Sequence, residues 1–146
     1  MNNTKQIVVI NLRNVQYGIP IEQVNEIIKY IHPTQVPNSL PYSEGVISLR
    51  GKIHSVIDLG SFLGMEKKQP DKNTKVIIAN ESSVGFIVDD VARIVIPKEE
   101  EIDTNINLPI YFNNDHLSYI LKIDGNIIFV LDMSSILKIN HFCQLA

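Results

Sequence analysis

A chain of 146 residues with a net charge of −3 is long enough to bury a real core in one domain, and its interspersed charges offer nucleic acid no basic face. Its 24 isoleucines and 13 valines against three alanines favour pleated strands, because β-branched side chains lose rotamer freedom on a helix. Cys143 stands alone, so no internal disulfide can form. No apolar run is long enough to span a bilayer and the N-terminus lacks a signal-peptide pattern, so a cytoplasmic location without membrane insertion is expected.

In chain order, Ile7–Leu12 reads as a strand, and a turn leads into a second strand through Gly18. The spacing of Ile21, Val24, Ile28 and Ile31 also fits a helix. Its counterpart further along, IVDDVARIVI (87–96), is so β-branched that a turn followed by a strand is preferred. HPTQVPNSLPYSEG (32–45) carries three prolines and reads as an extended loop. Two apolar runs then flank Arg50-Gly51, an X-Gly pair that suits a tight hairpin, and a helical piece is expected at Ser61–Leu63. The series repeats with a strand at Lys75–Ala79, another through Gly85 and a third apolar segment ending near Ile96. Glu99-Glu100-Glu101 after Pro97 reads as a solvated face or helix start. A second hairpin turns at Asp124-Gly125, and a helix over Ser134–Ile139 is expected with serine as its N-cap.

The repetition extends to residue identity. GVISLRGKIHSVIDLGSFL (45–63) aligns without a gap on YILKIDGNIIFVLDMSSIL (119–137), and YGIPIEQVNEII (17–28) aligns on VGFIVDDVARIV (84–95). Gly51/Gly125, Ile53/Ile127, Asp58/Asp132, Gly18/Gly85, Val24/Val91 and Ile27/Ile94 coincide. Two copies are too few for a solenoid. They predict one mostly β domain over 1–146 whose halves, approximately 1–66 and 67–146, form two small pseudosymmetric lobes shaped as partly closed barrels.

The duplicated aspartates are the sharpest chemical candidates. Asp58 and Asp132 would share a proton if they met at the axis, as in an aspartic protease. Such sites follow the aspartate with Thr or Ser and then Gly, whereas here Leu59 and Met133 follow and can donate nothing from their side chains. The competing reading makes each aspartate a strand end that accepts N–H bonds from the next helical turn. His32, His54, His116, His141 and Cys143 do not assemble a recognisable metal spacing, and neither a phosphate-binding nor a dinucleotide motif is present, so no metal or cofactor is expected. Arg50 breaks the repeat, since Asp124 takes its place in the second copy. The turn therefore does not require arginine, and a rigidly presented guanidinium is a common interface anchor. A small-ligand β-barrel is the remaining alternative.

VPNSLPYSEGVISLRGKIHSVIDLGSFLGM (36–65) resembles the signature of CheW-like chemotaxis adaptor proteins, a proline loop followed by G-V-I-N-L-R-G, a strand ending V-I-D-L and a helical turn. YGIPIEQVNEII, VGFIVDDVARIV and LKIDGNIIFVLDMSSIL extend the likeness over essentially the whole chain. The resemblance implies two SH3-like five-stranded barrels and a non-enzymatic scaffold. Such a scaffold would couple methyl-accepting chemoreceptor cytoplasmic tips to the regulatory domain of a CheA-type histidine kinase in membrane-associated arrays. Carried over by position, Val24, Glu26, Gly45, Arg50, Gly51 and Ile94 would bind the receptor. Ile27, Pro37, Asn38 and Leu40 would bind the kinase. Ser48 stands in place of the usual Asn, Ser55 in place of Pro and Tyr119 in place of Gly, and at this length no additional receiver domain is expected.

Overall fold

β1 (Ile7–Leu12) and β2 (Val15–Pro20) form an antiparallel hairpin around Arg13 and Asn14, both in the left-handed region. The structure, a computed structural model, describes residues 5–37, 41–80, 82–104 and 115–138. One turn of 3₁₀ helix at Ile21–Gln23 leads into β3 (Val24–Lys29), so the expected turn followed by a strand is what forms. β4 (Ser43–Leu49) and β5 (Lys52–Asp58) make the first matched hairpin, and α1 (Leu59–Phe62) follows. β6 (Lys75–Ala79), β7 (Val84–Val88) and β8 (Asp90–Val95) repeat the opening. After a 3₁₀ turn at Glu99–Glu101 come β9 (Ile102–Asp103), β10 (Leu117–Ile123), β11 (Asn126–Leu131) and α2 (Met133–Leu137).

One sheet has the order β8-β1-β2-β11-β10-β9 and the other β3-β6-β7-β5-β4. The division expected near residue 66 is therefore a boundary of the repeat but not of the lobes. One lobe is continuous from β3 to β7, and the other combines the N-terminal hairpin with β8–β11. Each copy lends its first hairpin to the lobe built by the other. Sequence likeness finds the copied unit and cannot see such an exchange. The equivalence survives in the register: Val56 pairs in parallel with Gly85, and Val130 with Gly18.

Closure of each barrel also repeats. Thr34 bridges Val46 of β4, with both backbone N–H groups donating across the pair, and β9 pairs with Ile120 and Leu121 at the equivalent place on β10. The sixth strand of the larger sheet is thus the closing strand of its barrel.

β1 alternates with period two between two apolar clusters. Val8, Ile10 and Leu12 join a core shared by both sheets with Ile57, Ile77, Phe86, Leu131 and Ile136, while Ile7 and Val9 face Leu121, Ile128 and Val130. Fully burying each such side chain contributes roughly 1.5–3 kcal/mol, so the exchanged hairpin is held by core packing on both faces. A Cβ on Gly18 would come within 2.6 Å of Ile7 Cγ2, and for that reason the parallel crossing uses glycine.

The two helices differ from expectation at their starts. α1 begins at Leu59 instead of Ser61, and α2 begins at Met133 with Asp132 as its N-cap, Oδ1 accepting from the backbone N–H of Ser135 at 3.2 Å. Ser134 instead donates its hydroxyl to that carboxylate at 2.9 Å, because a carboxylate is the stronger acceptor for the orphan N–H groups of the first turn. Ile139, the expected end, lies outside the described residues.

Candidate functional site

Arg50 and Gly51 occupy the two central positions of the β4–β5 hairpin, with φ of +51° and +78°, and Asp124 and Gly125 repeat this turn with +51° and +79°. Two consecutive positive φ angles define the tight turn whose twist matches its flanking strands. The turn projects the Arg50 side chain, which meets Glu26 of β3 in a bidentate pair, Nη1 donating to Oε1 at 2.5 Å and Nη2 to Oε2 at 2.7 Å. Hydrogen bonding from Arg50 holds the Glu26 carboxyl below its ordinary range, and Glu26 raises the guanidinium. With the Arg50 side chain 70% exposed, the pair is screened by water and contributes little to folding. What it fixes is orientation, since a fork engaged at both nitrogens has one plane.

The other residues carried over by resemblance divide by environment. Val24 is half-buried against the shared core, and Ile94 is exposed on β8 of the other lobe. Gly45 is buried at a bulge in β4 with φ of +115°, where a Cβ would strike the Thr34 carbonyl; its conformation and the barrel closure explain the glycine. Tyr119 stands at the equivalent bulge in β10 without a positive φ. Ile27 is exposed on β3, and Pro37 is exposed in a turn. Asn38 and Leu40 lie outside the described residues, as do His141 and Cys143.

Consecutive strand residues point to opposite faces, so Glu26 and Ile27 serve opposite faces of β3. Two further exposed isoleucines, Ile53 and Ile127, sit just beyond the two hairpin turns. Their identity in the repeat was the available signal for them.

Arg13, which sequence patterning did not single out, organises a second cluster. Its Nη1 donates to Asp89 at 2.8 Å, Nη2 to Asp58 at 3.2 Å and Nε to the Glu66 carbonyl at 2.9 Å, while its backbone N–H donates to Asp89 at 2.6 Å. Asp58 is thus a buried acceptor for Arg13 and for the Ser61 hydroxyl, with no side-chain cap bond to the helix backbone; the nearby guanidinium is the stronger partner. Arg13 ties the exchanged hairpin to the β5 end and the β7–β8 junction. Asp58, at the end of β5, and Asp132, the N-cap that follows β11 of the other sheet, are each held by separate partners and not by one another, which leaves no shared proton between them. Among the described residues no group of acidic, His and Cys side chains could hold a metal, and no helix is long and apolar enough to cross a membrane. Where the resembled family has proline, Ser55 donates its N–H to the Ser83 carbonyl at 2.8 Å.

Twin barrels with exchanged hairpins, carrying an oriented charge pair and solvent-facing isoleucines on their surface, define a two-lobed β module. A model of the CheW-like domain matches residues 6–140, and the chain belongs to that family. The chemotaxis protein CheW of Bacillus subtilis (strain 168) is 29% identical over 135 residues, covering 91% of this chain and 86% of that protein. CheW of Thermotoga maritima is 32% identical over 120 residues, covering 81% and 78%. The crystal structure of the scaffolding protein TtCheW from Thermoanaerobacter tengcongensis superposes with a TM-score of 0.79 at 32% identity, covering 88% of each chain.

Proposed function

We propose that this chain is a non-enzymatic chemotaxis scaffold that couples the cytoplasmic tip of a methyl-accepting receptor to the regulatory domain of a CheA-type histidine kinase, in arrays beneath the membrane. The observation that carries this reading is the Glu26–Arg50 fork, fixed in one orientation on a rigid turn and open to solvent. Membership of the CheW-like family supports this choice of partners.

The receptor side is assigned to Val24, Glu26, Arg50 and Ile94, with Gly45 and Gly51 setting the backbone that presents them. An apolar helix face laid against exposed isoleucine and oriented by a charged fork is a recurrent recognition mode. The kinase side is assigned to Ile27 and to the Pro37, Asn38 and Leu40 loop. The opposite facing of Glu26 and Ile27 supports simultaneous occupancy. The chain then acts by geometry, since two modest contacts on one body raise the effective concentration of each partner near the other.

Calorimetric titration with a receptor signalling-tip hairpin and, separately, with a kinase regulatory domain tests the reading. Wild type is expected to bind both; Arg50→Ala weakens only the receptor fragment and Ile27→Asp only the kinase domain, by roughly tenfold or more. If folded wild type binds neither, the scaffold reading fails.

A further inference from the structure

Beside the Arg50 turn lies a cleft of about 550 Å³ lined by Asn25, Glu26, Arg50, Lys52, His54 and Ser82, among others. Its charge is uneven: Glu26 is already engaged by Arg50, and Lys52 pairs with no acidic side chain among the described residues. His54 forms the wall from β5. It is 7% exposed, and its Nδ1 is sealed from solvent with no hydrogen-bond partner.

A buried orphan N–H costs more than a buried orphan lone pair. The tautomer that suits this ring therefore keeps Nδ1 bare and carries its proton on Nε2, the ring's other nitrogen. His54 lines the cleft, and Nε2 is not among its sealed, unpartnered atoms. Among the described residues the recess then offers the histidine N–H, the Lys52 ammonium, the Asn25 amide and the Ser82 hydroxyl, and the one acidic side chain lining it, Glu26, is engaged by Arg50. Donors, and a positive balance of charge among the described lining residues, call for an acceptor-only, negatively charged group.

We propose that this cleft receives an aspartate or glutamate carboxylate from the helix that docks on the Arg50 face, with His54 and Lys52 as its specificity-determining contacts. The inference rests on the scaffold reading and deepens it by naming what the partner helix must carry beside its apolar face. Arg50 and Glu26 orient the helix, and the His54 cleft selects which helix is accepted. An apolar side chain there would leave the cleft donors unpaired, and an amide would lose the charge and set its NH2 against them, which is how a polar pocket rejects near-isosteres.

The test is a double-mutant cycle by calorimetry with the receptor signalling-tip hairpin. On the scaffold, His54→Val is used; on the fragment, each surface Asp or Glu is changed in turn to Asn or Gln. His54→Val removes the unpartnered nitrogen, so the variant is expected to melt no lower than wild type and a binding loss cannot be blamed on unfolding. The expected result is a loss of roughly tenfold or more for His54→Val. One acidic-to-amide change in the fragment should produce a similar loss, and the two together should cost no more than either alone. If His54→Val binds like wild type while Arg50→Ala is weakened, the cleft is idle and the proposal is overturned with the scaffold reading intact. A loss for His54→Val that adds independently to every fragment change also overturns it. If wild type binds no fragment, the scaffold reading falls and takes this inference with it.

Discussion

Replacing Arg13 with methionine keeps much of the side-chain volume and leaves two carboxylates facing each other without their cation. The Asp58 and Asp89 side chains are 8% and 12% exposed, so water reaches neither freely. Breaking a buried ion pair by removing one partner typically costs about 3–5 kcal/mol, most of it the uncompensated charge that stays behind. Here Asp58 keeps the Ser61 hydroxyl at 3.1 Å and Asp89 keeps the residue-13 backbone N–H at 2.6 Å, which places the expected loss near the lower end, about 3 kcal/mol. For a domain of 146 residues that corresponds to a fall in Tm of roughly 6–12 °C. Urea unfolding should show the midpoint move with the slope unchanged. Arg13→Lys should recover only part of the loss, because an ammonium cannot reproduce the guanidinium's planar fork to two carboxylates. Gly60→Ala should mimic part of it, since its Cβ would come within 2.5 Å of Arg13 Nη1. A loss below about 1 kcal/mol for Arg13→Met would show that the carboxylates are solvated after all and would refute the reasoning.

Gly45→Ala combines a positive φ with a collision against the Thr34 backbone and is expected to cost about 3 kcal/mol or more in thermal or urea unfolding. Asp132→Ala removes an N-cap and should cost about 1 kcal/mol, whereas Asp58→Ala should cost more because it strands Arg13. The carboxyl carbon of Glu26, followed by NMR, should titrate below the ordinary glutamate value of 4.5, and Arg50→Ala should return it upward. Because the folded-state value is lowered, what this pair contributes is present above the unfolded value and is lost as pH falls through the lowered one.

Strands and turns were legible because they rest on local rules. Ile7–Leu12 and Lys75–Ala79 form with the expected bounds, and both X-Gly pairs turn as expected. The hairpin exchange was not legible, because both copies carry compatible strands and only tertiary packing decides which copy of β1–β2 joins which lobe. Asp58 and Asp132 illustrate the same limit at the scale of one side chain. The repeat identified them as equivalents, yet Arg13 lies 45 residues from Asp58 in the chain and changes its role from cap to ion-pair acceptor. Arg50 was legible as a departure from symmetry, whereas its partner Glu26 came only from family resemblance.

The same departure distinguishes the surfaces of the two lobes. The repeat places Ile94 where Ile27 stands and Ile127 where Ile53 stands, so each lobe offers equivalent exposed isoleucines. The charges beside them are reversed: Glu26 becomes Arg93 and Arg50 becomes Asp124, and no ion pair joins Arg93 to Asp124 among the described residues. A partner whose charges complement one lobe meets like charge on the other, which separates partners even where apolar contacts are shared. Reversing the first pair, Glu26→Arg with Arg50→Asp, should make its lobe resemble the second. The turn tolerates the change, since Asp124 already holds the same left-handed φ of +51°. The double variant should melt as wild type does and lose the receptor fragment. Retention of wild-type affinity would mean that shape alone distinguishes the two faces.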